Sequence, residues 1–484
     1  MKRIFAITGT FLFAAAVLAG CNKVETDYQY LRLDMANVSF LGDGNAPVTI
    51  KVSATGAWEV EPSVSWLKIG DKTDGSVTVT VDDNDTEAER EGKLVFTSGE
   101  VTEELPVNQL PMASGGYVYR SPVFLDMGLA MSPNGKYVVG EDNVLQDDET
   151  FNFDVYIYDL DTDEYRVVGS YPQSLFTLQK PMCITDQGLA FISDTQSRTV
   201  GIDLDGNVIY PEGVDEFQGS FNVQGSGDGG RILVGYQMDR PGGRYLPIIS
   251  ENGVARQLEI PELNAHDEPL VTGVMARGCS HDGKVIYGSS WDNMENSTCY
   301  WKADDGYKFH WAAASDRTKE QVETIDASDQ LITVTQISGP KTSAELTCIS
   351  PNGKWLAVTW QREYYTEGAF GYSQVRFPAF IDLENDKAYL FEDLPGGAKH
   401  VTDDGIGFTI DGLMTNSGQV VDIENGVVLG NMYDWILDNY GIATGPGSIV
   451  YMTPDKQRFL SLWIADSAGG GKTAHWFVAP RPAK

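Results

Sequence analysis

The strongest constraint on this chain is a tight turn, written seven times, that joins two apolar runs. In its clearest copy Ala344–Val358 reads AELTCISPNGKWLAV: an apolar run, a turn at Ser350-Pro351-Asn352-Gly353, then a second apolar run. Proline presets φ at the second turn position, and glycine supplies the positive φ that ends the turn. A Ser or Thr opens the same turn at Ser132, Thr185, Ser226, Ser280, Ser350, Thr402 and Thr453. Glycine closes it at Gly135, Gly188, Gly229, Gly283, Gly353 and Gly405, and Lys456 takes that place in the seventh copy. The closing positions are 53, 41, 54, 70, 52 and 51 residues apart. A period near fifty with several short strands per copy predicts a β-propeller.

Each copy parses into four strands. Strand A enters the turn and strand B leaves it, as Tyr137–Gly140 or Trp355–Trp360. Strand C follows and reaches strand D through a second turn, at Leu160–Glu164, Asp203–Asn207, Glu251–Gly253, Ala303–Gly306, Leu383–Asp386 and Ile423–Gly426. The seventh copy runs through Phe459–Ile464 and His475–Ala479 and lacks an outer strand, which would leave an unpaired edge. Tyr117–Arg120 precedes the first strand A and has no other role. It is expected to supply the missing strand and to close a seven-bladed ring over residues 117–484. The closure, and the S-P-N-G-K turns, resemble WD40-like and TolB-like propellers.

Upstream lie three shorter regions. Residues 1–20 read as a lipoprotein signal peptide: Lys2 and Arg3 precede an apolar run, and Leu18-Ala19-Gly20-Cys21 resembles the lipobox of bacterial lipoproteins. That resemblance implies cleavage before Cys21, diacylation of its thiol, and a lipidated tether over 21–29. Asn22–Asp27 resembles the surface-export signal of Bacteroidetes lipoproteins, which implies an outer-membrane, cell-surface location. Residues 30–110 alternate in short runs such as Val48–Val52, Ser76–Val81 and Gly92–Phe96, the pattern of a β-sandwich. Trp58-Glu59-Val60, Ser65-Trp66-Leu67-Lys68-Ile69, Asn84-Asp85-Thr86, Arg90-Glu91-Gly92 and Val107-Asn108-Gln109 resemble the BACON domain. The resemblance implies an immunoglobulin-like sandwich acting as a spacer or accessory carbohydrate binder. Alternation places Trp66 in its core and leaves Trp58 undecided. Residues 111–116 (PMASGG) read as a linker. The fold class is all-β throughout.

Charge limits the partners. With 69 acidic and 35 basic residues, the formal net charge is −34. Nucleic acid and anionic lipid would be repelled at long range, so no nucleic-acid partner is expected. The only membrane contact expected is the lipid on Cys21, and the protein is expected to be a monomer. Cys183, Cys279, Cys299 and Cys348 read as small core residues with free thiols, since two strand spacings, about 9.5 Å, exceed the roughly 7 Å a disulfide spans.

Function points to the long connections. A–B and C–D turns share one face of an up-and-down disc, and the B–C and D–A connections share the other. The B–C loops are expected at Glu141–Phe153, Gln237–Arg244, Ser289–Ser297 and Gln361–Gln374, with a long D–A connection at Trp311–Thr342. They carry the candidate ligand-binding residues Trp360, Arg362, Tyr364, Tyr365, Tyr372, Trp291 and Arg240. Flat rings stack on sugars and arginine adds directional hydrogen bonds, which favours non-catalytic glycan binding. The alternatives are an envelope protein-interaction scaffold and a propeller glycosidase or polysaccharide lyase. The histidines, His266, His281, His310, His400 and His475, are dispersed without metal-ligand spacing, and G-x-S-x-G and H-E-x-x-H are absent. No catalytic residue, metal or cofactor is assigned. His281, in an A–B turn, is read as a solvated turn residue. Asp159–Glu164 mimics the start of a calcium loop but lacks its glycine.

Overall fold

The computed structural model describes residues 29–109 and 116–480, apart from positions 36, 41, 43–44, 46, 85, 87–89, 121–129, 146–150, 173–182, 194–197, 216–220, 241–242, 291–296, 326–327, 342–346, 366–371, 411–417, 443, 445–446 and 466–471. The signal segment, Cys21 and most of the tether and linker therefore lie outside the described residues.

The N-terminal module is a sandwich of two four-stranded sheets. One holds Leu31–Leu33, Val48–Ala54, Ser76–Val81 and Leu67–Lys72; the other holds Val38–Phe40, Val101–Gln109, Arg90–Ser98 and Glu59–Pro62. Alternation does the sorting: Val48, Ile50 and Val52 are buried while Thr49 and Ser53 are exposed. Of the two tryptophans it is Trp58, left undecided by sequence, that is fully in the core, whereas Trp66 packs against it only in part. Trp58 is buried, 5.9 Å from Phe96, and its Nε1 donates to the Asp74 carbonyl at 2.6 Å. Trp66 is half-buried at the margin, under the Arg90 guanidinium.

Seven antiparallel sheets follow, six of four strands and one of six, most of them running in chain order from strand A to strand D. They are the blades of a β-propeller. The last combines Ser448–Met452, Phe459–Ala465 and Lys472–Pro480 with Tyr117–Arg120, which pairs antiparallel to Phe477–Pro480. The last blade packs on the first through Leu460 and Phe477 against Met131, Val138 and Tyr158. Arg458 fastens the same seam, donating to Asp161 at 2.6 Å and to the Gly135 carbonyl at 3.1 Å. Asp161, in the stretch that mimics a calcium loop, is thus an ion-pair partner.

The repeated turn explains the repeated serine. The Ser350 hydroxyl accepts from the Trp355 N–H at 2.9 Å and donates to Asn352 Oδ1 at 2.7 Å, and that oxygen accepts from the Lys354 N–H at 3.0 Å. Gly353 closes the turn with φ +78° and an N–H bond to the Ser350 carbonyl. Lys456 adopts φ 57° in the seventh copy and holds Asp404 of the preceding turn with its ammonium. Blade 3 departs from the expected register by one residue. Gly227, not Ser226, pairs opposite Ile232 at the head of the turn, and a Cβ there would meet the Gly283 backbone at 2.8 Å. The Ser226 hydroxyl donates instead to the Ile184 carbonyl.

The inner strands of blades 3, 4, 6 and 7 share a β-bulge just before the turn, at Gln224, Arg277, Lys399 and Val450. Behind the blade 6 bulge, His400 is fully buried, with Nδ1 3.2 Å from Cys348 Sγ. Cys183, Cys279, Cys299 and Cys348 all carry free thiols.

Three connections differ from expectation. Strands B and C of blades 1 and 5 run on through Tyr137–Leu145, Phe151–Asp159, Trp355–Tyr365 and Tyr372–Asp382, so much of their expected loops is strand. Trp311–Thr342 holds an antiparallel hairpin, Thr318–Ile325 with Leu331–Lys341, that joins the blade 5 sheet. A helix, Met432–Tyr440, links blades 6 and 7, capped by the Asn431 side chain and by Gly441 in the left-handed region.

Ser350→Ala strands the buried Trp355 N–H and is expected to lower stability by about 1–3 kcal/mol in urea denaturation. Burial, with Lys399 adding to it, holds the His400 pKa down at about 3, below its ordinary 6.5. The unfolded chain therefore takes up a proton first as pH falls. Stability is full above about pH 6.5 and declines toward pH 3, by up to about 1.4 kcal/mol per pH unit from this residue. His400→Gln is expected to flatten that slope in melts recorded between these limits.

Candidate functional site

Blade 5 carries most of the sequence-derived candidates, and its sheet is built differently from the others. Strand A, Cys348–Ile349, pairs only with Leu356–Ala357, and strand D, Lys387–Leu390, pairs only with Ala379–Asp382. Beyond them strand B continues as Thr359–Tyr365, hydrogen-bonded to Tyr372–Pro378 on one side and to the inserted hairpin on the other. Arg317 roots the hairpin in blade 4, donating to Ser297 Oγ at 3.1 Å and to the Thr298 and Ala312 carbonyls at 2.8 and 3.1 Å. Lys319 pairs with Glu268 on the connection between blades 3 and 4.

Strand alternation sends the candidates to opposite faces of this extension. Trp360, Arg362 and Tyr364 share one face. Trp360 stands at its foot, 2 % exposed, packed with Tyr300 and Phe377, its Nε1 donating to Ser338 Oγ at 2.8 Å. It is a core residue and leaves the candidate set, because the hairpin and blade 4 cover the position where a loop was expected. Arg362 lies over Phe377 and grips Glu392 through both Nη atoms, at 2.9 and 2.7 Å. That pair raises the arginine pKa and lowers that of the carboxyl. Tyr364 is half-exposed at the outer end, opposite Gln336, whose amide donates to Glu320 at 3.3 Å.

Gln361, Glu363 and Tyr365 occupy the other face and make a polar core. Glu363 is 4 % exposed, 3.3 Å from Lys341 Nζ, and accepts from Tyr365 Oη at 2.8 Å and Gln361 Nε2 at 2.7 Å. Gln374 joins through Gln361 and accepts from exposed Arg376 at 2.9 Å. A buried carboxylate needs this many donors, since desolvation otherwise outweighs the attraction of its partner. Tyr372 pairs opposite Tyr365 in register, but its side chain lies outside the description, as does all of Trp291. Arg240 is exposed in the B–C turn of blade 3 and belongs to a different blade.

Lys341, Glu363, Gln336 and Arg376 were not singled out by sequence. The alternation Gln361-x-Glu363-x-Tyr365 within WQREYY is the signal for a strand with one polar face. Among the described residues no group of three or more His, Cys, Asp or Glu side chains could hold a metal ion.

A two-module protein emerges, with a β-sandwich preceding a β-propeller. Residues 56–110 match the BACON family, described as a putative binding domain, N-terminal. Among curated proteins none matches the chain. Solved structures that resemble it include the following three. A Bacteroides ovatus GH5 xyloglucanase, in complex with a XXXG heptasaccharide, is 18 % identical with TM-score 0.17; the match covers 25 % of this chain and 30 % of that one. Oligogalacturonate lyase from Vibrio parahaemolyticus is 11 % identical with TM-score 0.40, over 76 % of this chain and 98 % of that one. TolB from Acinetobacter baumannii is 10 % identical with TM-score 0.24, over 82 % of this chain and 62 % of that one. The chain thus spans less than two thirds of both the xyloglucanase and TolB.

Lys341→Met leaves Glu363 buried without its cation and is expected to cost about 3–5 kcal/mol in urea denaturation. Adding Glu363→Gln in the same chain is expected to restore more than half of that loss.

Proposed function

We propose that this protein is a cell-envelope lipoprotein, anchored through acyl chains on Cys21, that binds glycan without cleaving it at the projecting sheet of blade 5. The BACON domain serves as spacer or accessory binder, and the location is the outer membrane, facing outward. The observation that carries the reading is the half-exposed ring of Tyr364, set on a hydrogen-bonded strand between an arginine already fixed by Glu392 and the Gln336–Glu320 pair. A sugar ring stacks on such a phenol at little entropic cost, because the platform is ordered before the ligand arrives.

A second reading, docking of an envelope protein, is favoured by the outer end of the hairpin. Ile325 and Leu331, 66 % and 67 % exposed, face each other there as an apolar cross-strand pair.

Calorimetric titration of residues 22–484 with a panel of neutral host and plant polysaccharides separates the two. Glycan binding is expected, weakened at least about tenfold, or 1.4 kcal/mol, by Tyr364→Ala with the circular dichroism unchanged. No heat with any polysaccharide overturns the reading. Capture of a discrete envelope protein that Ile325→Asp/Leu331→Asp abolishes would then establish the second.

A further inference from the structure

The inner strands of blades 1 to 5 and 7 line an axial cavity of about 180 Å³ at the A–B turn end of the disc. Pro133, His281 and Pro351 of the turns form its rim, and Cys183, Cys348 and Tyr451 of the inner strands form part of its wall. His281, expected to be a solvated turn residue on the face away from any site, therefore borders a cavity. Two bulge residues, Gln224 and Arg277, also line it. A bulge leaves one residue without a cross-strand partner and re-aims its side chain. Arg277 is that residue in blade 4, between the pairs Ala276–Gly288 and Gly278–Tyr287.

Among the described residues Arg277 makes no ion pair with an acid. Its Nε donates to Ser289 Oγ at 3.3 Å and its guanidinium lies 5.8 Å from the Tyr236 ring. Among the described residues neither Nη atom has a hydrogen-bond partner. Among the described residues the ionisable groups that act on it most are Tyr236, Tyr287, Tyr245 and Cys299, none of them a carboxylate. Burial raises the pKa of Tyr236, Tyr287 and Cys299, so these three are neutral near pH 7, and it lowers that of the arginine. Arg277 is half-buried, and among the described residues no carboxylate is hydrogen-bonded to it. Charged groups are seldom buried without a counter-ion, because desolvation is not offset. Lys399, at the equivalent bulge of blade 6, adds to the effect: its charge reaches Cys348 in the cavity wall. Carboxylates do act on other parts of the wall, Asp186, Asp403 and Asp455 on Tyr451 and Asp282 on Cys279, so the cation stands on the blade 4 side of the cavity.

We infer that the axial cavity binds a small organic carboxylate, held by the free Nη edge of Arg277. A guanidinium edge forms two parallel N–H···O bonds with a carboxylate, whose single charge one cation balances, whereas phosphate near pH 7 carries more than one charge and is desolvated at greater cost beside a single cation. The Gln224 amide offers a second polar contact for a hydroxyl on the same molecule. Ordinary ligand pockets span roughly 300–1,000 Å³, so this cavity takes a single small acid and not a polymer chain. It is therefore a site separate from the blade 5 sheet and does not depend on the glycan reading.

The test titrates residues 22–484 with D-glucuronate, with D-glucose as the neutral counterpart and with inorganic phosphate, by calorimetry and by thermal melting. Glucuronate is expected to bind and to raise the melting temperature, glucose to do neither, and phosphate to bind at least tenfold more weakly. Arg277→Met is expected to abolish glucuronate binding while melting, without ligand, no lower than the parent protein. Tyr364→Ala is expected to leave glucuronate binding unchanged, which separates this site from the blade 5 surface. Where Arg277→Met fails to fold, Arg277→Gln serves for the same comparison. No glucuronate binding, equal binding by the Arg277 variant, or tighter binding of phosphate overturns the proposal.

Discussion

A side-chain hydroxyl that replaces a backbone partner holds this propeller to its plan. At the inner end of most blades a Ser or Thr accepts an N–H from the start of strand B, as Ser132 does from Tyr137, Ser280 from Val285 and Thr453 from Arg458. The chain can then reverse within four residues without leaving a buried donor bare. Neighbouring turns are also bonded to one another: the Asn352 N–H donates to Asp403, and the His281 N–H to the Pro351 carbonyl. The turns thus join blade to blade as well as strand to strand. Larger deviations, such as the blade 5 hairpin, occur away from this ring of turns.

Blade 5 shows how an insertion becomes a surface. A hairpin added between blades could have been a loose excursion, but Arg317 and Lys319 root it in blade 4 and in the connection before it. The Lys341–Glu363 pair fixes which face of strand B turns inward. An apolar core would tolerate a slip of the hairpin along its neighbour; a single buried ion pair with two further donors does not. Register, more than stability, is what such a pair contributes.

The sequence made the architecture legible where one residue has one job. Glycine at positive φ with a hydroxyl before it marks most of the A–B turns, so the blade order could be read from their spacing, and the seventh copy's missing outer strand pointed to Tyr117–Arg120. The blade 3 register could not, because Ser226 and Gly227 both satisfy the pattern and only packing against Gly283 decides between them. The candidate site was less legible. Aromatic and basic residues in WQREYY suggested a loop, yet strand alternation places Tyr364 and Tyr365 on opposite faces and burial removes Trp360. Which residues an insertion will cover is a tertiary fact, and the hairpin that covers Trp360 lies some twenty residues upstream of it. Arg277 was overlooked for a similar reason: nothing in its neighbours announces a bulge.

The strand that closes the ring also sets the order of its assembly. Arg120 pairs with Phe477 across 357 residues, so the outermost strand of the last blade is synthesised before any other part of the disc. It must wait, with its edge unsatisfied, until nearly the whole chain exists. The sandwich upstream has its own core and needs no later residue to complete it. A growing chain can thus carry one finished module while its propeller is still open. Contacts so distant in sequence are slow to form, and an edge left waiting invites pairing with the wrong strand. Synthesis of Phe477–Pro480, and not of any one whole blade, is thus the event that lets the disc close.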